Sequence, residues 1–328
     1  MSSEAPATRK IFFREAIARA VREEMRRDPR ILILGQDVGG FGGSYREFDG
    51  LFKEFGPERV RDTPVSENAS IGIGAGAAAF GYRPLVSITY MDFLMLGFDP
   101  LINYAAKLRY KTNGRLTAPL VVKTTAGAAG QGVAHSQCIE AWLMSVPGLK
   151  VVAPSTPADA YAMMKTALRA DGPVVFIDHK KLFPTPGEVP VEEFTIPFGE
   201  AIVRREGADV TLSVHGYITR IALQAAELLA AEGISVEVVD LRSLAPLDIG
   251  TVIKSVEKTG RLATLEEGQT TTGVGVEVMA RVFEHIGPKP WVRIGAIPAP
   301  VSSNPILEPA CLPDPQRVAQ SIRELLMR

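Results

Sequence analysis

The sequence contains few cysteines, and their scarcity excludes two kinds of small-protein architecture. Only Cys138 and Cys311 occur among 328 residues, far apart and without CxxC spacing. A disulfide framework and a cysteine-based zinc site are therefore both unexpected. A reducing compartment suits this composition, and we expect no metal ligand on this chain.

Charge of either sign in excess is also missing. The chain has 36 basic and 37 acidic residues and a net charge of −1, without a long block of like charge. Nucleic acids and anionic membranes attract proteins through basic patches. Neither is therefore expected as a partner.

Long apolar runs are absent as well. The Gly- and Ala-rich segment after Glu67 is interrupted by Tyr82, Arg83 and Pro84, well short of a membrane span. The N-terminus lacks the uninterrupted apolar region of a secretory signal. These features predict a cytoplasmic protein without a membrane partner.

Three common motifs are missing too. The sequence has no GxGxxG after a strand, no GxxxxGK[ST] and no GxSxG. A dinucleotide-binding Rossmann domain, a phosphate-binding P-loop and a hydrolase nucleophile elbow are therefore disfavoured.

What the sequence does contain is a regular alternation of short apolar strands and helices. Strand-like runs include RILILG, PLVSITY, APLVVKT and PVVFID, with helical spacing of apolar residues between them. This alternation predicts an α/β protein of two domains, each a mostly parallel sheet flanked by helices. Residues 183–199 hold four prolines and two glycines, a composition typical of a linker. The predicted divisions are domain 1–185, linker 186–199 and domain 200–328.

Glu67 is the first candidate for a chemical role. It precedes the small-residue run ASIGIGAGAAAFG. Ser66 and Glu67 could simply start a helix, because a carboxylate there faces the positive end of the helix dipole. Small side chains also let a ligand or another backbone approach closely. The residues alone leave both interpretations open.

Two further segments carry candidate residues. The loop KTTAGAAGQGVAHSQ, residues 123–137, follows a strand and ends near His135. Open α/β sheets bind ligands at the carboxyl ends of their strands, so His135 is either functional or structural. Phe93, in SITYMDF, is either a core residue or a plate on which a flat ring stacks.

Taken in order, several motifs resemble one family. The segments RVRDTPVSE, GYRPLV, HSQ…EAW…VPGLKVVAPSTPADA and EVVDLRSLAPLD are similar to the beta chain of the decarboxylating component of 2-oxo acid dehydrogenase complexes. The resemblance extends from Ile31 to Pro313 and covers pyruvate, branched-chain and acetoin types. It implies a transketolase-like pyrimidine-binding domain followed by a transketolase-type C-terminal domain.

The resemblance also implies roles for individual residues. Glu67 matches the glutamate that hydrogen-bonds N1′ of the aminopyrimidine of thiamine diphosphate. Phe93 matches the aromatic residue that packs on this ring, and Val65 and Thr89 match positions that line its pocket. His135 matches a catalytic histidine near the substrate and the incoming lipoyl group.

The implied reaction is oxidative decarboxylation of a 2-oxo acid with acyl transfer to lipoamide. In this family an alpha subunit holds the diphosphate and Mg²⁺, the two chains form an α2β2 heterotetramer, and a lipoyl acyltransferase forms the core of the complex. The absence of a GDG motif followed by an Asn fits this division, since that motif holds magnesium and diphosphate.

The sequence departs from the family at two positions where a glutamate is usual, Gln36 and Ser87. The departures leave other functions open. The chain could belong to an enzyme that cleaves acetoin or ligates an acyl unit to a carbonyl. It could also be a non-catalytic assembly subunit, although the presence of both Glu67 and His135 opposes that interpretation.

Overall fold

The computed structural model describes residues 7–328, which form two compact units. The first unit runs to Thr125 and resumes at Val146–Phe198; the second comprises Ala126–Ser145 and Gly199–Arg328. The glycine-rich loop that carries His135 thus groups with the C-terminal part of the chain. The domain boundaries drawn from the sequence stay a prediction. Residues 1–6 lie outside the described residues, and so does the part of the N-terminus where no signal segment was expected.

The first unit is built on a parallel sheet. Its strands are β1 (Thr8–Phe12), β2 (Ile31–Gly35), β3 (Val60–Asp62), β4 (Arg83–Ile88), β5 (Val121–Ala126), β6 (Lys150–Val152), β7 (Val174–His179) and β8 (Pro186–Pro190). Six of them lie side by side in the order β6-β7-β5-β4-β2-β3. The β2–β3, β2–β4, β4–β5 and β6–β7 pairs are parallel. Strands β5 and β7 are buried along their whole length, as expected for a sheet with helices on both faces.

The segment predicted as a linker contains a strand. Strands β1 and β8 pair antiparallel in a two-stranded ribbon, with Thr8 opposite Pro190 and Phe12 opposite Pro186. Proline is tolerated here because it lies at the two ends of an edge strand. The composition therefore indicated a connection but not this pairing.

Helices flank the first sheet. They are α1 (Phe13–Arg27), α2 (Leu51–Phe55), α3 (Glu67–Ala79), α4 (Met91–Leu94), α5 (Leu108–Lys111) and α7 (Pro157–Arg169). Helix α6 (Glu140–Met144) comes between α5 and α7 in the chain but belongs to the second unit. A 3₁₀ turn at Met95–Gly97 and a π-helical segment at Asp99–Ala105 follow α4. Helix α7 begins with Pro157, and its N-cap Thr156 accepts a hydrogen bond from the Asp159 amide.

The second unit has its own sheet and core. Its strands are β9 (Ile202–Arg205), β10 (Val210–Val214), β11 (Val236–Asp240), β12 (Ser243–Ala245), β13 (Leu262–Gln269) and β14 (Trp291–Ala296). Five of them follow the order β14-β13-β10-β11-β9, with β9 antiparallel at the edge. The remaining helices are α8 (Thr219–Ala230), α9 (Ile249–Thr259), α10 (Val274–Ile286), α11 (Leu307–Cys311) and α12 (Pro315–Leu326). Helices α8 and α12 pack together over this sheet through Leu229 and Ile322. The predicted fold class, two α/β domains with mostly parallel sheets, is confirmed.

Candidate active site at the carboxyl edge of the first sheet

Three neighbouring strands bring the candidate residues of the first unit to one edge. Strands β3, β2 and β4 are adjacent and parallel, so their carboxyl ends meet on the same side of the sheet. Gln36 follows β2, Glu67 begins α3 after β3, and Thr89 follows β4. Ligands of open α/β sheets bind at this edge.

Glu67 is a buried carboxylate at the start of a helix. Its exposed fraction is 4%. Ser66 occupies the N-cap position with an extended backbone, but its side chain makes no capping hydrogen bond. The side-chain amide of Gln36 donates to Glu67 Oε1 over 3.4 Å. A buried charge is costly unless it is paired or hydrogen-bonded, so this carboxylate is held where solvent gives it little support.

Close packing fixes the helix that carries Glu67. A Cβ atom added to Gly74 would lie 2.6 Å from Val86 Cγ2 of strand β4. One added to Gly97 would overlap Ile71 Cδ1 and lie 3.2 Å from the Glu67 carbonyl oxygen. Helix α3 therefore packs directly on β4 and on the 3₁₀ turn, which confirms the close approach predicted from its small residues.

The other candidates of the first unit lie nearby in the chain. Phe93, in α4, and Thr89, after β4, are both half-buried, whereas Val65 is 79% exposed in the single chain. Phe93 donates its backbone amide to the Tyr90 carbonyl oxygen over 2.9 Å. Their contact with a pyrimidine ring stays a prediction.

Sequence reasoning missed a group of residues on this side of the sheet. The Tyr45 hydroxyl donates to the Tyr90 hydroxyl over 3.3 Å, and the Lys180 ammonium lies 4.4 Å from the centre of the Tyr90 ring. Tyr45 also stacks on Phe183 with ring centres 4.4 Å apart. Ring stacking between residues so distant in sequence leaves no local signal.

A buried ionic cluster lies in the same unit. Lys123 Nζ is 2.7 Å from Glu47 Oε1 and 3.0 Å from Asp178 Oδ2, and all three side chains are inaccessible to solvent. Burial raises the pKa of Asp178 to about 6, although the Lys123 charge opposes this shift. Burial works to lower the pKa of Lys123, but the charges of Asp178 and Glu47 outweigh it and raise this pKa. A lysine inside the apolar run LVVKTTA was the available sequence signal.

His135 belongs to the second unit, in the glycine-rich loop. The His135 side chain is half-buried, and its backbone amide donates to the Gly132 carbonyl oxygen over 3.1 Å. Two carboxylates hold this loop by its amides: Ala128 N–H donates to Glu267 Oε1 over 2.8 Å, and Gly130 N–H donates to Glu308 Oε2 over 2.6 Å. These bonds explain why the loop groups with the C-terminal part of the chain.

A cavity of about 640 Å³ opens beside this loop in the second unit. Ser136, Glu140, Trp142, Glu266 and Glu267 are among its lining residues. Burial, reinforced by the charges of Glu266 and Glu267, raises the pKa of Glu140 to about 8. The raised pKa of Glu140 reduces the charge repulsion among the three carboxyl groups of this cavity, because its proton is retained to a higher pH.

Neither a metal centre nor a membrane span is found in residues 7–328. No group of three or more His, Cys, Asp or Glu side chains there could hold a metal ion. No helix in this range is both long and apolar enough to cross a bilayer.

Family models match both units of the chain. The transketolase pyrimidine-binding domain matches residues 9–186, and the transketolase C-terminal domain matches residues 199–318. The first match includes Val65, Glu67, Thr89 and Phe93, and also the loop of His135.

The chain is similar over nearly its full length to several curated proteins. It is 41% identical to the 2-oxoisovalerate dehydrogenase subunit beta of Bacillus subtilis, over 95% of this chain and 97% of that one. It is 41% identical to the pyruvate dehydrogenase E1 component subunit beta of Rhizobium meliloti, over 94% and 68% of the two chains. It is 39% identical to the acetoin:2,6-dichlorophenolindophenol oxidoreductase subunit beta of Cupriavidus necator, over 97% and 98%.

A solved structure shares the fold. A split-gene transketolase, described as an inactive beta4 tetramer, superposes with a TM-score of 0.78 at 27% identity, over 97% of this chain and 98% of that one. The superposition includes residues of both units, because it covers 97% of this chain.

Proposed function

Because the chain belongs to the family of beta subunits of the decarboxylating (E1) components of 2-oxo acid dehydrogenases, we propose that it takes part in oxidative decarboxylation of a 2-oxo acid with acyl transfer to lipoamide. The observation that carries the proposal is Glu67. It is a buried carboxylate at the carboxyl edge of the sheet in a pyrimidine-binding domain. This edge is where such a domain binds its ligand.

The residues at this edge fit the pyrimidine half of thiamine diphosphate. Glu67 offers a carboxylate that can accept an N–H, and Phe93 offers a half-buried aromatic face. When bound, thiamine diphosphate supplies a thiazolium carbon that adds to an oxo group and accepts the electrons released with carbon dioxide.

Each residue has a proposed task. Glu67 shares a proton with ring nitrogen N1′ and thereby sets the protonation of the aminopyrimidine. Phe93 packs on the ring, and Val65 and Thr89 line its pocket. His135 orients the acyl group and donates a proton to the dithiolane during acyl transfer.

The proposal assigns the other half of the cofactor site to an alpha subunit. It binds the diphosphate and Mg²⁺, because this chain lacks the GDG motif that holds them. The two chains then form an α2β2 heterotetramer that works with a lipoyl acyltransferase core. A cytoplasmic location stays a prediction.

The first test is co-expression with the alpha chain encoded nearest to this one. The complex is given pyruvate, branched-chain 2-oxo acids and acetoin with an artificial electron acceptor. We expect turnover of a 2-oxo acid and a loss of about 100-fold or more in Glu67→Gln, since positioned proton transfer contributes about that much. The matched control is Glu58→Gln, a carboxylate that pairs with Arg61 on the surface and is 85% exposed.

Two results would contradict the proposal. A stable complex that binds thiamine diphosphate yet turns over none of the 2-oxo acids would exclude the dehydrogenase. Equal losses in Glu67→Gln and in the surface control would exclude the role of Glu67.

Acetoin cleavage is the second candidate function. The observation in its favour is the similarity to the Cupriavidus necator acetoin oxidoreductase subunit beta. Turnover of acetoin, and not of 2-oxo acids, in the same screen would select it. Turnover of neither, with formation of a carbon–carbon bond between two carbonyl compounds, would indicate carboligation.

A further inference from the structure

Gln36 is the side chain whose amide reaches the carboxylate of Glu67. Its Nε2 lies 3.4 Å from Glu67 Oε1, and it comes directly after strand β2, next to β3 in the sheet. We propose that Gln36 is a positioning residue that orients the Glu67 carboxylate through this amide. The inference rests on the proposed function, because it explains how Glu67 is held for its task.

The loop that begins at Gln36 is tied down at several points. Gly39 N–H donates to Asp62 Oδ1 over 2.8 Å, which attaches the loop to the end of β3. A Cβ at Gly39 would lie 2.5 Å from Asp62 Oδ2, so a side chain at this position would push the Asp62 carboxylate away from its hydrogen bond to the loop. Gly43 N–H donates to the Asp37 carbonyl oxygen over 2.8 Å and closes the loop on itself.

The far end of the loop is anchored by the buried ionic cluster. Glu47 accepts hydrogen bonds from Lys123 Nζ over 2.7 Å and from the Tyr45 amide over 3.0 Å. Lys123 belongs to β5, so the loop is fixed to the centre of the sheet. Removing one partner from a buried ion pair is strongly destabilising, so the anchor depends on both Lys123 and Glu47.

An amide suits this task for a chemical reason. A glutamine donates a hydrogen bond without gaining or losing a proton. One oxygen of Glu67 accepts from the amide, which would leave Oε2 to share a proton with N1′ of a bound aminopyrimidine. Gln36 would thus select which oxygen of Glu67 serves the cofactor without taking part in the proton transfer.

The test uses the complex of full-length chains with thiamine diphosphate. Two quantities are measured: the dissociation constant of the cofactor, and the rate of hydrogen–deuterium exchange at its thiazolium C2 position, which reports activation through the pyrimidine. In Gln36→Met, which keeps the length but removes the donor, we expect exchange to slow about tenfold while the dissociation constant changes less than about threefold. A tenfold decrease in rate is what we expect from the loss of one hydrogen bond to a charged group.

The matched control is Gln320→Met. Gln320 donates to Glu324 Oε1 over 2.9 Å on the surface of α12, so it repeats the same amide–carboxylate pair away from the site. We expect neither quantity to change there.

Gln36→Glu tests the hydrogen bond to Glu67 while it keeps the size of the side chain at position 36. It is nearly the same shape as glutamine, but the introduced carboxyl donates only while it is protonated. We expect C2 exchange in this variant, relative to wild type, to rise as the pH is lowered from about 8 to about 6. A ratio that does not depend on pH, or that falls as the pH is lowered, would overturn the positioning role. This series also decides the matter where Gln36→Met does not assemble.

The outcomes distinguish the inference from the proposed function. Unchanged exchange in Gln36→Met, with cofactor bound and with exchange lost in Glu67→Gln, would overturn the positioning role alone. A wild-type complex that binds no thiamine diphosphate would overturn both.

Discussion

At the scale of single residues, the buried carboxyl group of Glu140 makes the stability of this chain depend on pH. Burial raises the pKa of Glu140 from an ordinary 4.5 to about 8, with help from the charges of Glu266 and Glu267. Between these two values the folded chain keeps the proton of Glu140 and the unfolded chain has released it. Unfolding therefore releases a proton, and its free energy falls as the pH rises through this window.

Glu140→Gln is expected to remove this part of the pH dependence. The contribution of Glu140 is fully present below about pH 4.5 and is lost by about pH 8, so wild type should lose roughly 1 kcal/mol per pH unit relative to the variant across that range. Urea unfolding at several pH values between about 5 and about 9 measures the difference. Glu58→Gln serves as the exposed control, and parallel slopes for wild type and Glu140→Gln would contradict the assignment.

The residues predicted from the sequence lie in recognisable local patterns, whereas those that were missed are defined by contacts between distant segments. Glu67 and His135 were predicted as site residues because each lies in a distinctive local context, a small-residue run or a glycine-rich loop after a strand. The contact of Gln36 with Glu67 joins residues 31 positions apart through the pairing of β2 and β3. Lys123 meets Glu47 and Asp178 only when the sheet is assembled. Such partners depend on strand order, which one sequence does not reveal.

At the scale of elements, the small residues of helix α3 determine how closely the helix packs on the sheet. Gly74 and Gly76 both lie in its last turns, but only Gly74 faces the sheet, where Val86 is fully buried. A β-branched valine has little rotamer freedom, so it cannot move away from an added methyl group. The two glycines therefore form a matched pair within one helix.

Gly74→Ala is expected to destabilise the chain by about 1 to 3 kcal/mol through overpacking against Val86. Gly76→Ala meets nothing within 4 Å and is expected to stabilise it by roughly 0.5 to 1 kcal/mol, because alanine has the higher helix propensity. Thermal unfolding of the two variants and wild type measures both. Equal shifts of the same sign would show that α3 does not press on β4 at Gly74.

Several strands could be predicted because they are short, nearly continuous apolar runs. Strands β2, β4, β5 and β7 coincide with the runs RILILG, PLVSITY, APLVVKT and PVVFID read from the sequence. Strands β3, β8 and β9 were not predicted, since each is short and contains charged residues or proline in place of an apolar run. The prolines of β8 concealed it further.

At the scale of the whole molecule, large apolar side chains are exposed over one part of the first unit. Val65, Ile73, Phe80, Leu96 and Tyr110 are each more than half exposed in the single chain. Val65, Ile73 and Phe80 lie on α3 or next to its ends. Leu96 lies in the 3₁₀ turn that packs against α3, and Tyr110 lies on α5. Scattered apolar residues are ordinary at a surface, but a concentration of this kind marks a protein interface. Under the proposed function, the alpha subunit is the partner that covers it.

Hydrogen exchange of the chain alone and in the complex tests this assignment. We expect backbone amides of residues 65–110 to exchange more slowly once the alpha subunit is bound, since water is excluded from covered surface and the local opening of α3 is suppressed. Helix α12, whose buried face already packs on α8, should exchange at the same rate in both states and is the internal control. Unchanged exchange in residues 65–110, in a complex that elutes as one species, would show that the partner binds elsewhere on the chain.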